Sequence, residues 1–343
     1  MNKPSILIVG AGATGLPIGY HLSLAGADIT YLDRSAIDAA QQLYCYDDNS
    51  LKTFTGYRAV DDVAALAGRR FEFVMITLDG HTARTEGGAA TLRALGDLIR
   101  PSDATVIMSA FGIGVREHFL EVLGISDDRL LHGFLGMLAH QSAANLPIHA
   151  PTDPAKVAQA GICYRHPKNR IGFRLDTGNP AAAKRFAALY DSSGVSRCAR
   201  MSREMDSIFN TIGFPLYTAW EIAGWPDFAT VAKNKELWKL TCAAQREIMT
   251  LPRNGWRGRL LALAMGPRMN AKVQINMERG MRPMDLAAFN RFHHGGKVRA
   301  QDIGAMYDSL EEGRRQGRPM KSLQELLERL KAHEAANRVA SPA

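Results

Sequence analysis

The sequence has no apolar run of the kind that crosses a bilayer. A transmembrane helix needs about 20 consecutive, predominantly apolar residues, and no such stretch occurs among the 343 residues. The apolar run at residues 6–9 is short, and it meets glycines where a secretory signal would carry its cleavage region. We therefore expect no secretory signal, no membrane-spanning segment and no membrane partner.

Cysteine is scarce as well, with four residues in the whole chain. They stand far apart, at positions 45, 163, 198 and 242, and form no Cys-x-x-Cys pair. Secreted disulfide scaffolds are dense in cysteine, and structural zinc sites have closely spaced ligands. The adjacent histidines at 293 and 294 would need a third ligand from elsewhere to hold a metal. We expect reduced thiols, a cytoplasmic location and no metal.

Nucleic-acid-binding motifs are also missing, although the net charge is +8. Residues 201–343 carry 22 Lys and Arg against 15 Asp and Glu, whereas residues 1–200 carry 20 against 19. Such a basic surface can contact nucleic-acid phosphates or attract an anionic cofactor. Because no interleaved aromatic platform accompanies the charges, we favour the second interpretation and expect no nucleic-acid partner.

What the first 200 residues do have is an alternation of apolar β-rich runs and helical patterns. Buried strands separated by helices indicate a parallel sheet. After residue 201 the β-rich runs fade, and leucines at 323, 326, 327 and 330 form a helical stripe. The predicted fold is α/β, with a Rossmann-type parallel-sheet domain at residues 1–200, a mainly helical domain at 201–337 and a frayed tail at 338–343. The predicted strands are residues 5–9, 28–32, 72–77, 104–109, 161–164, 170–173 and 195–200, with helices at 16–25, 89–99 and 181–190.

The strongest chemical signal is a glycine loop between the first strand and the first helix. Gly10, Gly12 and Gly15 form a Gly-x-Gly-x-x-Gly pattern in the context that dinucleotide binding requires. In this pattern the first glycine permits a tight turn, the second admits a pyrophosphate and the third lets helix and sheet pack closely. The N-terminus of the helix then offers N–H groups and a positive dipole to the phosphates.

Two residues at the end of the second strand bear on the choice of dinucleotide. Asp33 lies 18 residues after Gly15, where a carboxylate can accept a hydrogen bond from a ribose 2′-hydroxyl. Arg34 follows and can instead pair with a 2′-phosphate. The two residues alone leave NAD and NADP open. A single fingerprint in a chain of two domains favours a nicotinamide-dependent reductase over a flavoprotein.

The chain resembles the ketopantoate reductase family from the glycine loop to about Leu330. The similarity rests on the opening strand and glycine loop with Arg34, and on Ser109-Ala-Phe-Gly-Ile-Gly114, which is similar to the Asn-Gly-x-Gly loop of the family. It also rests on residues 206–216, which resemble the Lys-x3-Asn-x3-Asn-Pro-Leu helix of the family, and on residues 282–290, which resemble its Arg-x-Thr-Glu-Ile-x3-Asn stretch. The resemblance implies NADP as cofactor, an active site between the two domains and a homodimer.

The departures from the family pattern change its chemistry. Asp206 stands where the family has its catalytic lysine, and Asp79 stands where it often has another lysine. Phe111 and Phe214 replace two asparagines of the motifs. Asn210 is retained, and Asp285 is a shortened form of the family glutamate. A carboxylate in place of the lysine would repel a carboxylate substrate by several kcal/mol in a poorly solvated site.

These substitutions predict a reductase whose substrate is not ketopantoate. Three carboxylates near one another would favour a neutral or cationic substrate, and one of them could remain protonated and act as an acid. Two alternatives stay open: an opine-type dehydrogenase that reduces an imine, and an inactive dinucleotide-binding protein in which Asp206 pairs with an arginine such as Arg203. The histidines at 132 and 140 are expected on the surface or in the core.

The predicted site has three parts. The catalytic candidates are Asp206, Asn210, Asp285 and His81. The cofactor candidates are Gly10, Gly12, Ala13, Thr14, Gly15, Asp33, Arg34, Leu78, Phe111 and Gly112. The candidates for the wall of the substrate pocket are Asp79 and Phe214.

Overall fold

The computed structural model describes residues 3–340, and the chain divides within them into two compact units. The first unit contains the described residues up to Ala110 and then Gly114–Asp206. The second contains Phe111–Ile113 and the described residues from Ser207 onward. The domain boundary predicted from the sequence is residue 200. The assignment of cofactor and substrate roles to the two domains stays a prediction.

The first unit is built on two sheets. Its strands are β1 (Ser5–Val9), β2 (Asp28–Leu32), β3 (Gln41–Cys45), β4 (Ser50–Phe54), β5 (Arg58–Val60), β6 (Phe73–Ile76), β7 (Thr105–Met108), β8 (Leu130–Leu135), β9 (Leu138–Gln141), β10 (Ile162–Arg165), β11 (Ile171–Asp176) and β12 (Arg197–Met201). The larger sheet has eight strands in the order β12-β11-β8-β7-β6-β1-β2-β5. The six strands from β8 to β5 are parallel, and β11 runs antiparallel to β8. The predicted parallel-sheet domain is confirmed.

Helices cover both faces of the large sheet. The helices of this unit are α1 (Gly15–Leu24), α2 (Gly80–Arg84), α3 (Glu86–Ile99), α4 (Val115–Leu123), α5 (Pro154–Gln159) and α6 (Pro180–Asp191). Of these, α5 packs against β3 and β4 of the smaller sheet. Along β1, Ile6 and Ile8 pack in one core cluster with α1 and α6, whereas Leu7 and Val9 pack in another with α3 and α4. Successive side chains of a strand point to opposite faces, so a strand buried on both faces must be apolar throughout.

The smaller sheet was not predicted. It has four strands in the order β4-β3-β10-β9, and β10 pairs parallel with β3 and antiparallel with β9. The strand predicted at residues 161–164 as a continuation of the first domain is β10, and it belongs to this second sheet. Its partner β3 lies more than a hundred residues earlier in the chain. Pairing at that separation depends on tertiary packing and leaves no local sequence pattern.

The carboxyl ends of the parallel strands form one row across the large sheet. Val9 is in register with Leu32 on one side and Ile76 on the other, Ile76 with Met108, and Met108 with His132. The loops that follow β1, β2, β6 and β7 therefore emerge at the same edge. In open α/β sheets this edge is where ligands bind.

The second unit is helical in the described residues. Its helices are α7 (Arg203–Ile212), within which the unit boundary falls, α8 (Phe214–Ile222), α9 (Phe228–Lys233), α10 (Lys235–Met249), α11 (Gly255–Ala264), α12 (Pro267–Met281), α13 (Leu286–Phe292), α14 (Arg299–Arg315) and α15 (Lys321–Ala340). The predicted leucine stripe lies buried on α15. Part of the tail that the sequence predicts to be frayed is helical. Residues 338–340 belong to α15, and residues 341–343 lie outside the described residues. Among the described residues, no helix combines the length and apolar character needed to cross a membrane.

Candidate functional site

The glycine loop forms a turn that only glycine can make. Gly10 has φ +101°, and a Cβ there would lie 2.4 Å from the Thr77 Oγ1 atom. A Cβ on Gly15 would lie 1.9 Å from the carbonyl oxygen of Gly10. The N–H of Gly10 donates to the Leu32 carbonyl at 2.9 Å, which fixes the loop to the end of β2. The first strand and the first helix thus approach more closely than side chains would permit.

The N-terminus of α1 has no protein group that would compete with an anion. Thr14 is the N-cap residue, its side chain makes no capping hydrogen bond, and the first turn has no acidic residue. Ala13 is buried, and the Gly12 carbonyl accepts the first helical hydrogen bond from Leu16 at 3.0 Å. A ten-residue helix with an uncapped N-terminus has N–H donors and a positive dipole end available for a pyrophosphate.

Asp33 and Arg34 have different surroundings at the end of β2. The Asp33 carboxylate accepts from the Ala11 N–H at 2.7 Å and from the Ser35 N–H at 2.9 Å. It therefore ties the glycine loop to β2, and a ribose hydroxyl would have to share oxygens that already accept hydrogen bonds. The Arg34 side chain is exposed, and within residues 3–340 it makes no ion pair. A free guanidinium at this place suits a 2′-phosphate.

The loop after β6 contains three of the predicted residues. Leu78 is half-buried and packs against the core that contains Val9 and Ile76. Asp79 is the N-cap of α2 and accepts from the backbone N–H groups of His81 and Thr82, each at 2.9 Å. The Thr82 hydroxyl donates to the second carboxylate oxygen of Asp79 at 2.6 Å. Asp79 therefore has a capping role that accounts for its residue type, and the His81 side chain is exposed.

The loop after β7 keeps its glycine conformations but not the family asparagine. Gly112 has φ +128° and Gly114 has φ +76°, a region of backbone conformation that side chains disfavour. The N–H of Phe111 donates to Gln301 Oε1 at 3.1 Å, within the second unit. The resemblance to a glycine-containing cofactor loop is thus preserved in the backbone, while the side chain at 111 is aromatic.

Asp206 is paired with a histidine that the sequence analysis did not select. The Nδ1 atom of His132 lies 3.0 Å from Oδ1 and 2.9 Å from Oδ2 of Asp206, and both side chains are buried. A carboxylate only accepts hydrogen bonds, so Nδ1 carries the hydrogen. The backbone N–H of His132 also donates to the carboxylate of the buried Asp176 at 2.6 Å. His132 lies within β8, in register with Met108 at the end of β7. The two residues are 74 positions apart, and no local pattern connects them.

The remaining candidates lie in the second unit. Asn210 is half-buried on α7. Phe214 is buried in the core cluster that contains Ile113 and residues of α8, α10, α14 and α15. Asp285 is the N-cap of α13 and accepts from the Ala288 N–H at 2.9 Å. Phe214 is thus a core residue of this unit, and its place in the wall of a substrate pocket stays a prediction.

Each of the three predicted carboxylates has a protein partner within its own unit. Asp79 caps α2, Asp206 pairs with His132, and Asp285 caps α13. That these three carboxylates share one site stays a prediction.

One group of side chains has metal-ligand chemistry. Cys45, Asp47 and His166 place a thiol, a carboxylate and an imidazole within 4.8 Å of one another. Arg165 and Arg170 both form ion pairs with Asp47. Burial, with a further effect from Asp47, raises the pKa of Cys45 to about 11. A protonated thiol and a carboxylate already neutralised by two guanidinium groups are poor zinc ligands. The arrangement favours a partly buried ion-pair network around Asp47.

Comparison with known proteins agrees with this architecture. Residues 6–143 match the family model described as ketopantoate reductase PanE/ApbA. A search of curated protein sequences finds no match. The matched residues contain the glycine loop, Asp33, Arg34 and the loop after β7.

Several solved structures are similar to almost the whole chain. A 2-dehydropantoate 2-reductase from Geobacter metallireducens GS-15 has a TM-score of 0.66 at 17% identity, over 96% of this chain and 99% of that one. A dimeric ketopantoate reductase from Staphylococcus aureus has a TM-score of 0.61 at 14% identity, over 97% and 99% of the two chains. A D-mandelate dehydrogenase with NADH and anilino(oxo)acetate has a TM-score of 0.64 at 15% identity, over 97% and 98%.

At these identities the similarity shows the fold. The family model adds the sequence signature of the N-terminal part. The resemblance predicted from the sequence is confirmed over residues 6–143 by the family model, and the solved structures extend the similarity in fold to almost the whole chain.

Proposed function

We propose that the protein is an NAD(P)H-dependent oxidoreductase that transfers a hydride to the carbonyl or imine carbon of a small substrate other than ketopantoate. The observation that carries the proposal is the junction of β1 and α1, where Gly10 and Gly15 allow a turn that no other residue would fit. The uncapped N-terminus of α1 suits a pyrophosphate. When bound, a reduced nicotinamide supplies the hydride. The similar D-mandelate dehydrogenase structure contains NADH.

NADP is the proposed form of the cofactor. Asp33 already accepts two backbone hydrogen bonds, which makes it a weaker acceptor for a ribose hydroxyl. Arg34 is exposed and, among the described residues, has no carboxylate partner. A guanidinium can bind a phosphate through two parallel hydrogen bonds. Both observations favour the dinucleotide with a 2′-phosphate.

The proposed substrate has no carboxylate that needs a lysine. Asp206 takes the place of the family lysine, and its carboxylate accepts a hydrogen bond from the imidazole of His132. No ammonium group is therefore supplied at this position, and the sign of the charge is reversed. A neutral ketone, an imine or a larger natural-product carbonyl fits this chemistry better than ketopantoate.

The pair of His132 and Asp206 is the proposed source of the proton that the reduced oxygen or nitrogen takes up. An imidazole held by a carboxylate can carry a proton and pass it on, and His132 lies in β8 in register with Met108, the last residue of β7. Asn210 and Asp285 stay candidates for holding the substrate, by resemblance to the family motifs. His81 is exposed and is the alternative proton donor.

The test uses the purified full-length protein. Calorimetry with NADPH and with NADH measures cofactor binding, and NADPH oxidation is then followed with ketopantoate, with neutral ketones, and with a 2-oxo acid plus an amine. We expect micromolar NADPH binding and turnover of a ketone or an imine, with little turnover of ketopantoate. Amine-dependent oxidation would identify an opine-type reaction. Binding without turnover on every substrate would identify an inactive dinucleotide-binding protein, and absence of binding would refute the proposal.

A cytoplasmic homodimer is the proposed state of the protein. The four cysteines are free and buried, as in proteins that remain in a reducing compartment. One similar structure is described as a dimeric ketopantoate reductase. Light scattering on the purified protein, giving the mass of one chain or of two, tests the dimer directly.

A further inference from the structure

Helix α11 exposes three of its four larger apolar side chains, and the fourth, Leu261, is half-buried. Trp256, Leu260 and Leu263 are 63, 58 and 71% exposed. Their spacing of four and three residues puts them on one side of the helix. We call these three residues the α11 face. A surface helix ordinarily buries its apolar stripe, so the α11 face is the reverse of the usual arrangement.

The inner side of α11 explains why the larger residues point outward. Gly258 and Ala262 are buried on the side opposite the α11 face. A Cβ at Gly258 would lie 2.1 Å from the Met249 carbonyl oxygen, so the helix is held against the end of α10. There is no room on that side for a tryptophan or a leucine. The exposed orientation of the α11 face is therefore set by packing and not by a loosely attached helix.

The next helix also exposes apolar side chains. Met269, Val273 and Met277 of α12 follow one another at intervals of four residues and are between 41 and 50% exposed. A contiguous set of exposed apolar side chains such as the α11 face marks an interaction surface.

The same segment is strongly basic. Residues 253–279 contain six cations and one acid, and within the described part of the chain none of the six cations forms an ion pair. The single acid, Glu278, accepts from the Phe228 N–H at 2.9 Å and is half-buried. The guanidinium of Arg257 lies 4.9 Å from the ring of Trp256. The cations are Arg253, Arg257, Arg259, Arg268, Lys272 and Arg279.

The combination of exposed apolar side chains and cations without ion pairs distinguishes between the partners that could cover this surface. A second copy of the chain would bring the same cations against one another. A nucleic acid would satisfy the cations, but it has no apolar surface to cover two leucines. An anionic bilayer offers phosphate groups to the arginines and acyl chains to the leucines, with the headgroup region suited to tryptophan.

We propose that the α11 face docks on the surface of an anionic phospholipid bilayer, with α11 lying in the plane of the interface. This departs from the expectation that the protein has no membrane partner, which rested on the absence of a spanning segment. A peripheral contact needs only an apolar face and flanking cations. It would bring the reductase to a surface where apolar carbonyl compounds partition, but the docking itself does not depend on the proposed reaction.

The test is co-sedimentation of the full-length protein with vesicles. Vesicles of phosphatidylcholine alone are compared with vesicles containing phosphatidylglycerol, at low and at high salt. We expect binding to the anionic vesicles only, weakened by salt. The double variant Trp256→Ser, Leu263→Ser should bind about tenfold more weakly or worse, because each lost side chain removes an apolar contact. Arg259→Gln with Arg268→Gln should weaken binding and reduce its salt dependence.

The matched control is Leu24→Ser with Ile148→Ser, which removes two apolar side chains of 48 and 46% exposure outside the second unit. It should bind vesicles like the unmodified protein. Circular dichroism and NADPH binding measured on every variant separate a loss of docking from a loss of folding. Equal binding by the α11-face variant and the control would overturn the proposal. So would a dimer that dissociates only in the α11-face variant, or binding to duplex DNA that exceeds binding to the anionic vesicles.

Discussion

Acid should destabilise the first unit through a buried neutral histidine. His21 lies on α1 and is fully buried, with Nδ1 at 2.5 Å from the Pro17 carbonyl oxygen and Nε2 at 3.1 Å from Nε2 of His166. Burial lowers the pKa of His21 from 6.5 to about 4, and His166 and Arg170 lower it further against the opposing effects of Pro17 and Asp47. A carbonyl accepts, so Nδ1 carries the hydrogen and His21 is neutral at pH 7.

The direction in which stability changes with pH follows from the lowered pKa of His21. The unfolded chain takes up a proton on this imidazole below about pH 6.5, whereas the folded chain does so only near pH 4. The unfolded state binds more protons in that window, so stability falls as the pH falls. The loss is about 2 kcal/mol at pH 5 and approaches about 3 kcal/mol below pH 4.

The assay is urea unfolding at pH 7 and pH 5, followed by far-ultraviolet circular dichroism, for the native chain and for His21→Gln. The variant should be less stable at pH 7, but it should lose about 2 kcal/mol less than the native chain between the two pH values. His81→Gln, which changes an exposed histidine, is the control and should behave like the native chain. All four tryptophans lie after residue 206, so their fluorescence reports separately on the second unit. Equal losses of stability in the native chain and His21→Gln would refute this reasoning.

Three further predictions concern the proposed site. Gly15→Ala places a Cβ 1.9 Å from the Gly10 carbonyl oxygen, and calorimetry should show at least a tenfold loss of NADPH affinity; unchanged affinity would mean that the junction does not hold the pyrophosphate. Arg34→Ala should weaken NADPH binding about 10- to 100-fold, the value of one charge-assisted contact, and leave NADH binding unchanged, whereas an equal effect on both would remove the 2′-phosphate contact. Asp206→Asn should lower the free energy of unfolding by about 3 kcal/mol, because it breaks a buried pair with His132, and it should move the pH–rate profile. A stability loss with an unmoved profile would assign the pair a structural role only.

The strand and helix pattern of the first unit was predictable because it depends on neighbouring residues. The predicted strands at residues 5–9 and 28–32 have the bounds of β1 and β2, since both strands are rich in β-branched and other apolar residues and are followed by Gly10 and by Asp33. The predicted helix at 181–190 differs from α6 by one residue at each end. The glycine loop was identified for the same reason, since all its parts lie within six residues.

The smaller sheet and the partner of Asp206 were not predictable in this way. Strands β3, β4 and β9 carry mixed polar and aromatic residues with no clear period, and β3 pairs with a strand far along the chain. The interpretation of Asp79, Asp206 and Asp285 as neighbouring carboxylates came from residue type and family position. Two of them cap helices and the third has a histidine partner, and such partners are known only from coordinates.

The sequence by itself determined the first two strands with the helix between them, the dinucleotide-type turn and the reversal of charge at the family lysine position. Those features reside in short segments, where backbone preference and residue chemistry act locally. Tertiary structure alone decided that His132 meets Asp206, that Asp33 holds the glycine loop and that α11 turns its leucines outward. Each of these depends on which distant segments pack together, and packing is a property of the whole chain.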